Sequence, residues 1–438
     1  MTAIDVADPV AVGFKGTVRS LRSAGLLGDE RPKYSTSNVD AAELAFQRWY
    51  RFKEAFTPTF VAEVMTRLPR MPRNCLDPFG GSGTTALTAQ ALGVRPTTIE
   101  VNPFLADLIE AKLRTHDLGQ VGTEWLRILE EVARNPVAPW PVVPPPSFVE
   151  PGVGGRWIFN RDIAGRIGAY VAGIEKVEEP GLRSLFRVLL GSALIQVSNV
   201  VISGKGRRYR GGRTLVRPSV EQLDLLLDSG FRRMYQDIAR HGARPEPGYR
   251  LLRGDSRELI GECEPVDLVL FSPPYPNSFD YTDIYNVELW ALGYLGSAAD
   301  NRTLREATLR SHVQIVRSFE AILPESSTLQ KVSLQLRALG PSLWSPHLPA
   351  MVEAYFADMC TVLSKSRNRL VEDGRIVAVV GDSRYAGMTV NVAGILSELA
   401  EPLGLRVVRA ERVRSMRSSA QQGGELELLE SLIEFASL

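Results

Sequence analysis

The feature that most constrains this chain is a glycine-rich turn set between a short apolar run and a helical one. Asn74-Cys75-Leu76-Asp77 reads as a strand, Pro78-Phe79-Gly80-Gly81-Ser82-Gly83 as the turn, and Gly83 to Leu92 as a helix. Glycine lets the backbone turn sharply and lets a ligand approach without a Cβ in the way. The helix beyond offers unpaired N–H groups at its start. A second strand, Pro96 to Val101, and a second helix, Pro103 to Leu113, follow. A β-α-β-α opening of this kind calls for a parallel sheet covered by helices. The turn is neither a lysine-bearing phosphate loop nor a G-x-G-x-x-G fingerprint. Glu100 ends the second strand about twenty residues after the turn, where an acid suits ribose hydroxyls.

The alternation of strand and helix then stops and later resumes. A proline-rich stretch, 135–156, reads as a stiff linker, and 157–245 as mainly helical. Strands return at Tyr249 to Arg253 and Val266 to Phe271, helical patterns over 283–370 with a polar break near 324–345, and strands at Arg375 to Val380, Leu405 to Arg412 and Leu428 to Phe435. The expected organisation is an N-terminal arm over 1–40, a discontinuous α/β catalytic domain over 41–134 and 246–438, and two insertions. The first, 135–245, combines the linker with a helical region; the second, 296–369, is helical.

A second chemical motif stands at the end of an apolar strand, Asp267 to Phe271, which runs into Ser272-Pro273-Pro274-Tyr275. Neither proline can donate a sheet hydrogen bond, so the pair ends the strand in a rigid turn. Ligands in open α/β sheets sit at that carboxyl edge. The Ser272 hydroxyl and the Pro273 carbonyl are two acceptors that could hold the hydrogens of an amine, and Tyr275 is a stacking surface.

The two motifs together resemble the amino-group DNA methyltransferases, which commonly carry Asp-Pro-Phe-x-Gly-Ser-Gly-Thr-Thr and [Asn/Asp/Ser]-Pro-Pro-[Tyr/Phe/Trp]. The resemblance covers roughly 45–115, 249–295 and 370–438. It implies a Rossmann-like class I methyltransferase sheet, mostly parallel with an antiparallel last strand, carrying two large mainly helical insertions. It implies S-adenosyl-L-methionine as cofactor, with Asp77, Phe79, Gly80, Gly81 and Gly83 at its methionine end, Glu100 at its ribose, Asp255 near its adenine, and Thr84 and Asn102 also among the cofactor-binding residues. Phe52-Lys53-Glu54-Ala55-Phe56-Thr57-Pro58 resembles the family's Lys-Phe-x-Pro segment, which brings Phe56 and Thr57 to the cofactor; the other reading of Thr57 is a helix cap. Ser272, Pro273, Pro274 and Tyr275 would be catalytic. Serine in the first place is typical of the cytosine-N4 branch, with adenine-N6 as the alternative. An RNA base methyltransferase and a non-catalytic DNA-binding subunit are the further alternatives. In this chain the cofactor motif precedes the catalytic one, the reverse of a common order, so the family's usual place for a recognition domain does not transfer.

The chain has 51 Lys+Arg and 50 Asp+Glu, so a protein that coats DNA by overall charge is excluded. Charge is distributed unevenly. Residues 201–250 hold eleven basic and five acidic side chains. The densest run offers Lys205, Arg207, Arg208, Tyr209, Arg210 and Arg213 to duplex DNA, which would have to be read with the target base flipped out. At the other sign, Glu425, Glu427, Glu430 and Glu434 put four negative charges in the final strand region. After Tyr275 come Phe279, Tyr281, Tyr285 and Trp290, a candidate wall for a flipped base or simply helix core. Cys75, Cys263 and Cys360 lack the Pro-Cys context of cytosine-C5 enzymes, and neither they nor the four histidines have a metal-ligand spacing. No signal peptide and no membrane-spanning run is read. A cytoplasmic enzyme is expected, with any cognate restriction endonuclease or defence protein encoded separately.

Overall fold

The computed structural model describes residues 9–27, 43–52, 55–203, 206–210, 217–276, 280–322, 324–417 and 427–438. The described residues form eleven strands: β1 (Asn74–Asp77), β2 (Arg95–Glu100), β3 (Val200–Ser203), β4 (Gly206–Tyr209), β5 (Arg250–Arg253), β6 (Val266–Phe271), β7 (Leu370–Gly381), β8 (Ser383–Tyr385), β9 (Met388–Val390), β10 (Leu405–Arg417) and β11 (Glu427–Ser437). Seven form one sheet in the order β10-β11-β7-β6-β1-β2-β5. The run from β5 to β7 is parallel. β11, the last strand in the chain, lies between β7 and β10 and is antiparallel to both. This is the class I methyltransferase sheet. The chain reverses direction of travel across the sheet between β1 and β6, and both strands end at the same edge there, which opens a crevice for a ligand.

Central strands bury both faces: β6 is buried at every position from Val266 to Phe271. One apolar cluster packs Leu76, Ile99, Val269 and Ile376 beneath the helix Leu348–Arg367. Another joins the sheet's opposite side to the first insertion, through Phe104 and Leu108 of the Pro103–Leu113 helix and Phe186 and Leu189 of the Pro180–Leu194 helix.

Buried carboxylates tie the insertion to the core. Asp107 accepts from Ser184 at 3.0 Å and from the Tyr294 hydroxyl, and pairs with Arg253 at 2.8 Å. Asp237, on the Val220–His241 helix, accepts from Phe46 N, Arg48 and Trp49 Nε1, which fixes the segment that precedes the glycine-rich loop.

Several local expectations change. The stretch 135–156 is held down rather than spanning free space: Trp140 donates to the Ala164 carbonyl and Ala138 N to the Gly165 carbonyl. Part of the expected arm is the helix Pro9–Ser23, with Leu21 buried. The 157–245 region contains the antiparallel β3–β4 hairpin, whose four-residue strands are too short to show against a helical background. The expected polar break contains the helix Ser327–Leu339, capped by Ser326 and buried along Leu329, Val332 and Leu336, a narrow stripe in a polar run. Among the described residues, no helix is long and apolar enough to cross a membrane, and no group of His, Cys, Asp and Glu could hold a metal ion.

Candidate active site

Both motifs stand at the carboxyl edge of neighbouring parallel strands. Cys75 pairs with Leu268 and Leu76 with Val269, so the turn after Asp77 and the turn after Phe271 rise side by side.

The glycines are there for backbone and space. Gly81 and Gly83 have φ of 52° and 77°, which side-chain-bearing residues rarely adopt. Gly83 caps the helix Thr84–Ala91. Gly80 N donates to the Ile99 carbonyl at 2.9 Å, and a Cβ on Gly80 would stand 2.5 Å from Thr98 Oγ1 and 2.8 Å from Ile109 Cδ1. The turn is thereby drawn tightly against β2.

Glu100 braces the same loop. Its two oxygens accept from Gly81 N at 2.7 Å and Asn102 N at 2.8 Å. Each carboxylate oxygen keeps a further acceptor position. Asp77 accepts from Phe79 N at 3.0 Å. Burial pushes the Asp77 carboxyl up to about 6 and that of Glu100 up to about 7, the nearby Asp77 charge adding to the rise at Glu100. Among the described residues neither carboxylate makes an ion pair. Two buried acids without a cation, beside loop amides, fit a ligand that brings positive charge and hydroxyl donors. S-adenosylmethionine, with its sulfonium, ammonium and ribose, is such a ligand.

A pH dependence follows. Protonated Asp77 and Glu100 lose their charge and part of their acceptor capacity, so a cationic ligand binds best when both are ionised. Affinity for S-adenosylmethionine should fall as pH drops from about 8 through 7 and 6, with protons released on binding. Calorimetry across that range, in buffers of different ionisation enthalpy, checks this. Glu100→Gln should bind more weakly and with a flatter pH profile.

Other expected cofactor residues are engaged within the protein. Asn102 Oδ1 caps the Pro103–Leu113 helix by accepting from Phe104 N and Leu105 N. Thr57 caps the Pro58–Arg67 helix, and Phe56 packs on Phe60 with ring centroids 4.8 Å apart. Thr84 Oγ1 donates to Gln47 Oε1 at 3.2 Å. Asp255 caps the helix Ser256–Leu259 and pairs with Arg257. From the Lys-Phe-x-Pro-like segment it is Phe52 that approaches the loop: a Cβ on Gly81 would stand 3.3 Å from its ring. Phe52 also stacks on Tyr285 at 5.9 Å.

Lys112 is a further participant, missed in the sequence. It is 0% exposed and donates to the Ser82 carbonyl at 2.7 Å, from below the glycine loop. Burial pushes its ammonium down to about 7. The available signal was its place on the helix's apolar stripe, three and four residues after Ile109 and Leu108.

In the Ser272–Tyr275 turn, Pro273 is buried while Ser272, Pro274 and Tyr275 are half-buried. Ser272 Oγ donates to the Tyr275 hydroxyl at 3.2 Å, and that hydroxyl donates to Glu430 Oε1 at 2.8 Å. Glu430 is 2% exposed, not a solvated charge of the last strand, and Arg414 pairs with it at 2.6 Å. Tyr285 and Trp290 are buried in the core. Phe279 and the Tyr281 side chain lie outside the described residues.

The cysteines offer no thiolate nucleophile. All three are free, and burial raises each thiol, that of Cys360 to about 11.

The basic segment divides in two. Arg207 turns inward over the Phe148 ring, 5.7 Å from its centroid, and Arg210 donates to the Ser198 carbonyl at 3.1 Å. Arg208 and Tyr209 are exposed on β4, which packs beside the helix Tyr281–Ile284 just after the Ser272–Tyr275 turn. Lys205 and Arg213 lie outside the described residues.

No protein-family model matches the chain. Curated relatives match most of it. Type II methyltransferase M.AvaI from Nostoc sp. is 25% identical over 390 residues, which cover 82% of this chain and 79% of the relative, and the M.AvaI of Anabaena variabilis matches equally. Type II methyltransferase M.BsoBI from Geobacillus stearothermophilus is 22% identical over 439 residues, covering 87% and 83%. Among solved structures, TrmN from Thermus thermophilus shares 12% identity with a TM-score of 0.30, over 87% of this chain and 49% of that one. At that distance the strand order, not the superposition, carries the fold. Motifs, sheet and relatives converge: the cofactor is S-adenosylmethionine, and the chain is similar over most of its length to Type II methyltransferases.

Proposed function

We propose that the protein transfers a methyl group from S-adenosylmethionine to the exocyclic N4 amine of cytosine in duplex DNA, as the modifying partner of a restriction or defence system. The observation that carries this reading is the juxtaposition of the glycine loop after β1 with Ser272–Tyr275 after β6. An exocyclic amine is a poor nucleophile because its lone pair is delocalised into the ring. Acceptors for both of its hydrogens favour the tetrahedral geometry in which that lone pair can attack. The Ser272 hydroxyl proton is directed to Tyr275, which leaves its lone pairs for the amine, and the Pro273 carbonyl is the second acceptor. The cofactor supplies the electrophilic methyl. A strong base is unnecessary, since the amine is acidified once methylated.

Phe79, Gly80, Gly81 and Gly83 would cradle the methionine end, Asp77 and Glu100 would face the cationic and ribose groups, and Lys112 would hold the loop from beneath. Asn102, Thr57, Phe56, Thr84 and Asp255 would shape the site through the contacts already described. The target base would be flipped from the duplex, at a cost of a few kcal/mol offset by contacts in the pocket and groove.

Arg208 and Tyr209 suit DNA contact, because both are exposed on the strand beside the helix that follows the Ser272–Tyr275 turn. Arg208→Ala should weaken duplex binding and lower the slope of log K against log salt by about 0.9, as expected for one lost phosphate contact. Its affinity for S-adenosylmethionine should not change. Fluorescence anisotropy at several salt concentrations tests this.

The function itself is tested by tritium transfer from methyl-labelled S-adenosylmethionine to duplex DNA, with single-stranded RNA in parallel. Label in duplex DNA supports the reading, and label in RNA alone overturns it.

A further inference from the structure

We propose that Glu430, keyed by Arg414, is a positioning residue for the catalytic tetrapeptide. It fixes the Tyr275 hydroxyl and, through it, the direction of the Ser272 hydroxyl. This inference rests on the amino-methyltransferase reading of the site.

The geometry is a directed chain. Arg414 donates Nε–H to Glu430 Oε2 at 2.6 Å and Nη2–H to Oε1 at 3.1 Å. A two-point guanidinium grip of this kind sets the plane of a carboxylate. The pair sits directly cross-strand, Arg414 on β10 opposite Glu430 on β11, just past a register shift between Arg412 and Arg414. Glu430 is also level with Gly381 on β7, the central strand beside β6. The antiparallel end of the sheet thus carries a fixed anion toward the catalytic edge.

That anion decides which way two hydroxyls point. An ionised carboxylate only accepts, so the Tyr275 hydroxyl must donate to it. The tyrosine oxygen is then an acceptor, and Ser272 donates to it at 3.2 Å. With its only proton directed away, Ser272 Oγ can face an incoming amine solely as an acceptor. The same link holds the Tyr275 ring at its far end, which sets the face it offers to a base. Without Glu430, Tyr275 could donate to Ser272, and Ser272 could then turn its own proton toward the amine, which is the wrong polarity. A single buried carboxylate on the last strand therefore preorganises the acceptor on which the reaction depends.

The test combines Tyr275→Phe, Glu430→Gln and the double variant. Each single variant should lower kcat about 10- to 100-fold, the scale for partners that orient reacting groups. Affinity for S-adenosylmethionine should be unchanged. The double variant should lose no more than the worse single one, because both break one chain. Unchanged kcat, or losses that multiply, would overturn the proposal. Selective 13Cζ-tyrosine labelling gives a readout that needs no substrate. Tyr275→Phe identifies the Tyr275 resonance, and Glu430→Gln should shift it; a resonance that stays in place would also overturn the proposal. Should the wild type methylate no nucleic acid, the functional reading fails, while the resonance still decides whether Glu430 sets the Tyr275 hydroxyl.

Discussion

Ser272→Ala is expected to lower kcat by at least about 100-fold while S-adenosylmethionine binds as before. Removing one preorganised hydrogen-bonding group aimed at a reacting centre costs about 10²–10³ in rate. Here the lost group accepts an amine hydrogen only when the base is in place, so the effect falls on the chemical step. Alanine fits the site: Ser272 is half-buried at the end of β6 and its hydrogen bond to Tyr275 is long at 3.2 Å. The fold should be unaffected. Single-turnover kinetics beside calorimetry separate the two quantities. A variant with full rate would remove Ser272 from the chemistry.

Gly80→Ala should weaken cofactor binding by at least about tenfold. The added Cβ would stand 2.5 Å from Thr98 Oγ1 and 2.8 Å from Ile109 Cδ1, closer than van der Waals contact allows. Thr98 is fully buried on β2 and Ile109 on the helix packed behind the loop, so neither can yield freely. Overpacking of this kind costs about 1–3 kcal/mol. The loop can relieve it by moving away from β2. Doing so would break the hydrogen bond from Gly80 N to Ile99 and pull Gly81 N from Glu100. Calorimetry should show at least about a tenfold loss of affinity together with a lower melting temperature. Wild-type affinity in this variant would show that the loop's seat on β2 does not matter to the cofactor.

Much of this site could be read from the chain because its local chemistry leaves few alternatives. Positive φ at Gly81 and Gly83 excludes most residues, so the turn is written in glycine. Two prolines after β6 can only end it. Alternating strands and helices fix the parallel sheet, and one acid at the end of β2 lies near the loop by register. What could not be read depends on packing between distant segments. Glu430 looked like one charge among four, and only its place opposite Arg414 across a shifted register reveals it as buried and clamped. Lys112 sits on an apolar stripe that marks it as buried, but only the loop above it shows what it holds. Arg207 and Arg210 belonged to a basic run, but the Phe148 ring under Arg207 and the Ser198 carbonyl bound by Arg210 come from outside that run, and they leave Arg208 and Tyr209 as its exposed members.

The most direct test is the identity of the methylated base. Duplex DNA incubated with the protein and S-adenosylmethionine is digested to nucleosides and analysed by mass spectrometry. N4-methylcytosine is the expected product, lost with Ser272→Ala. N6-methyladenine as the sole product would contradict the assignment to cytosine. 5-Methylcytosine would contradict the chemistry assigned to Ser272–Tyr275 altogether.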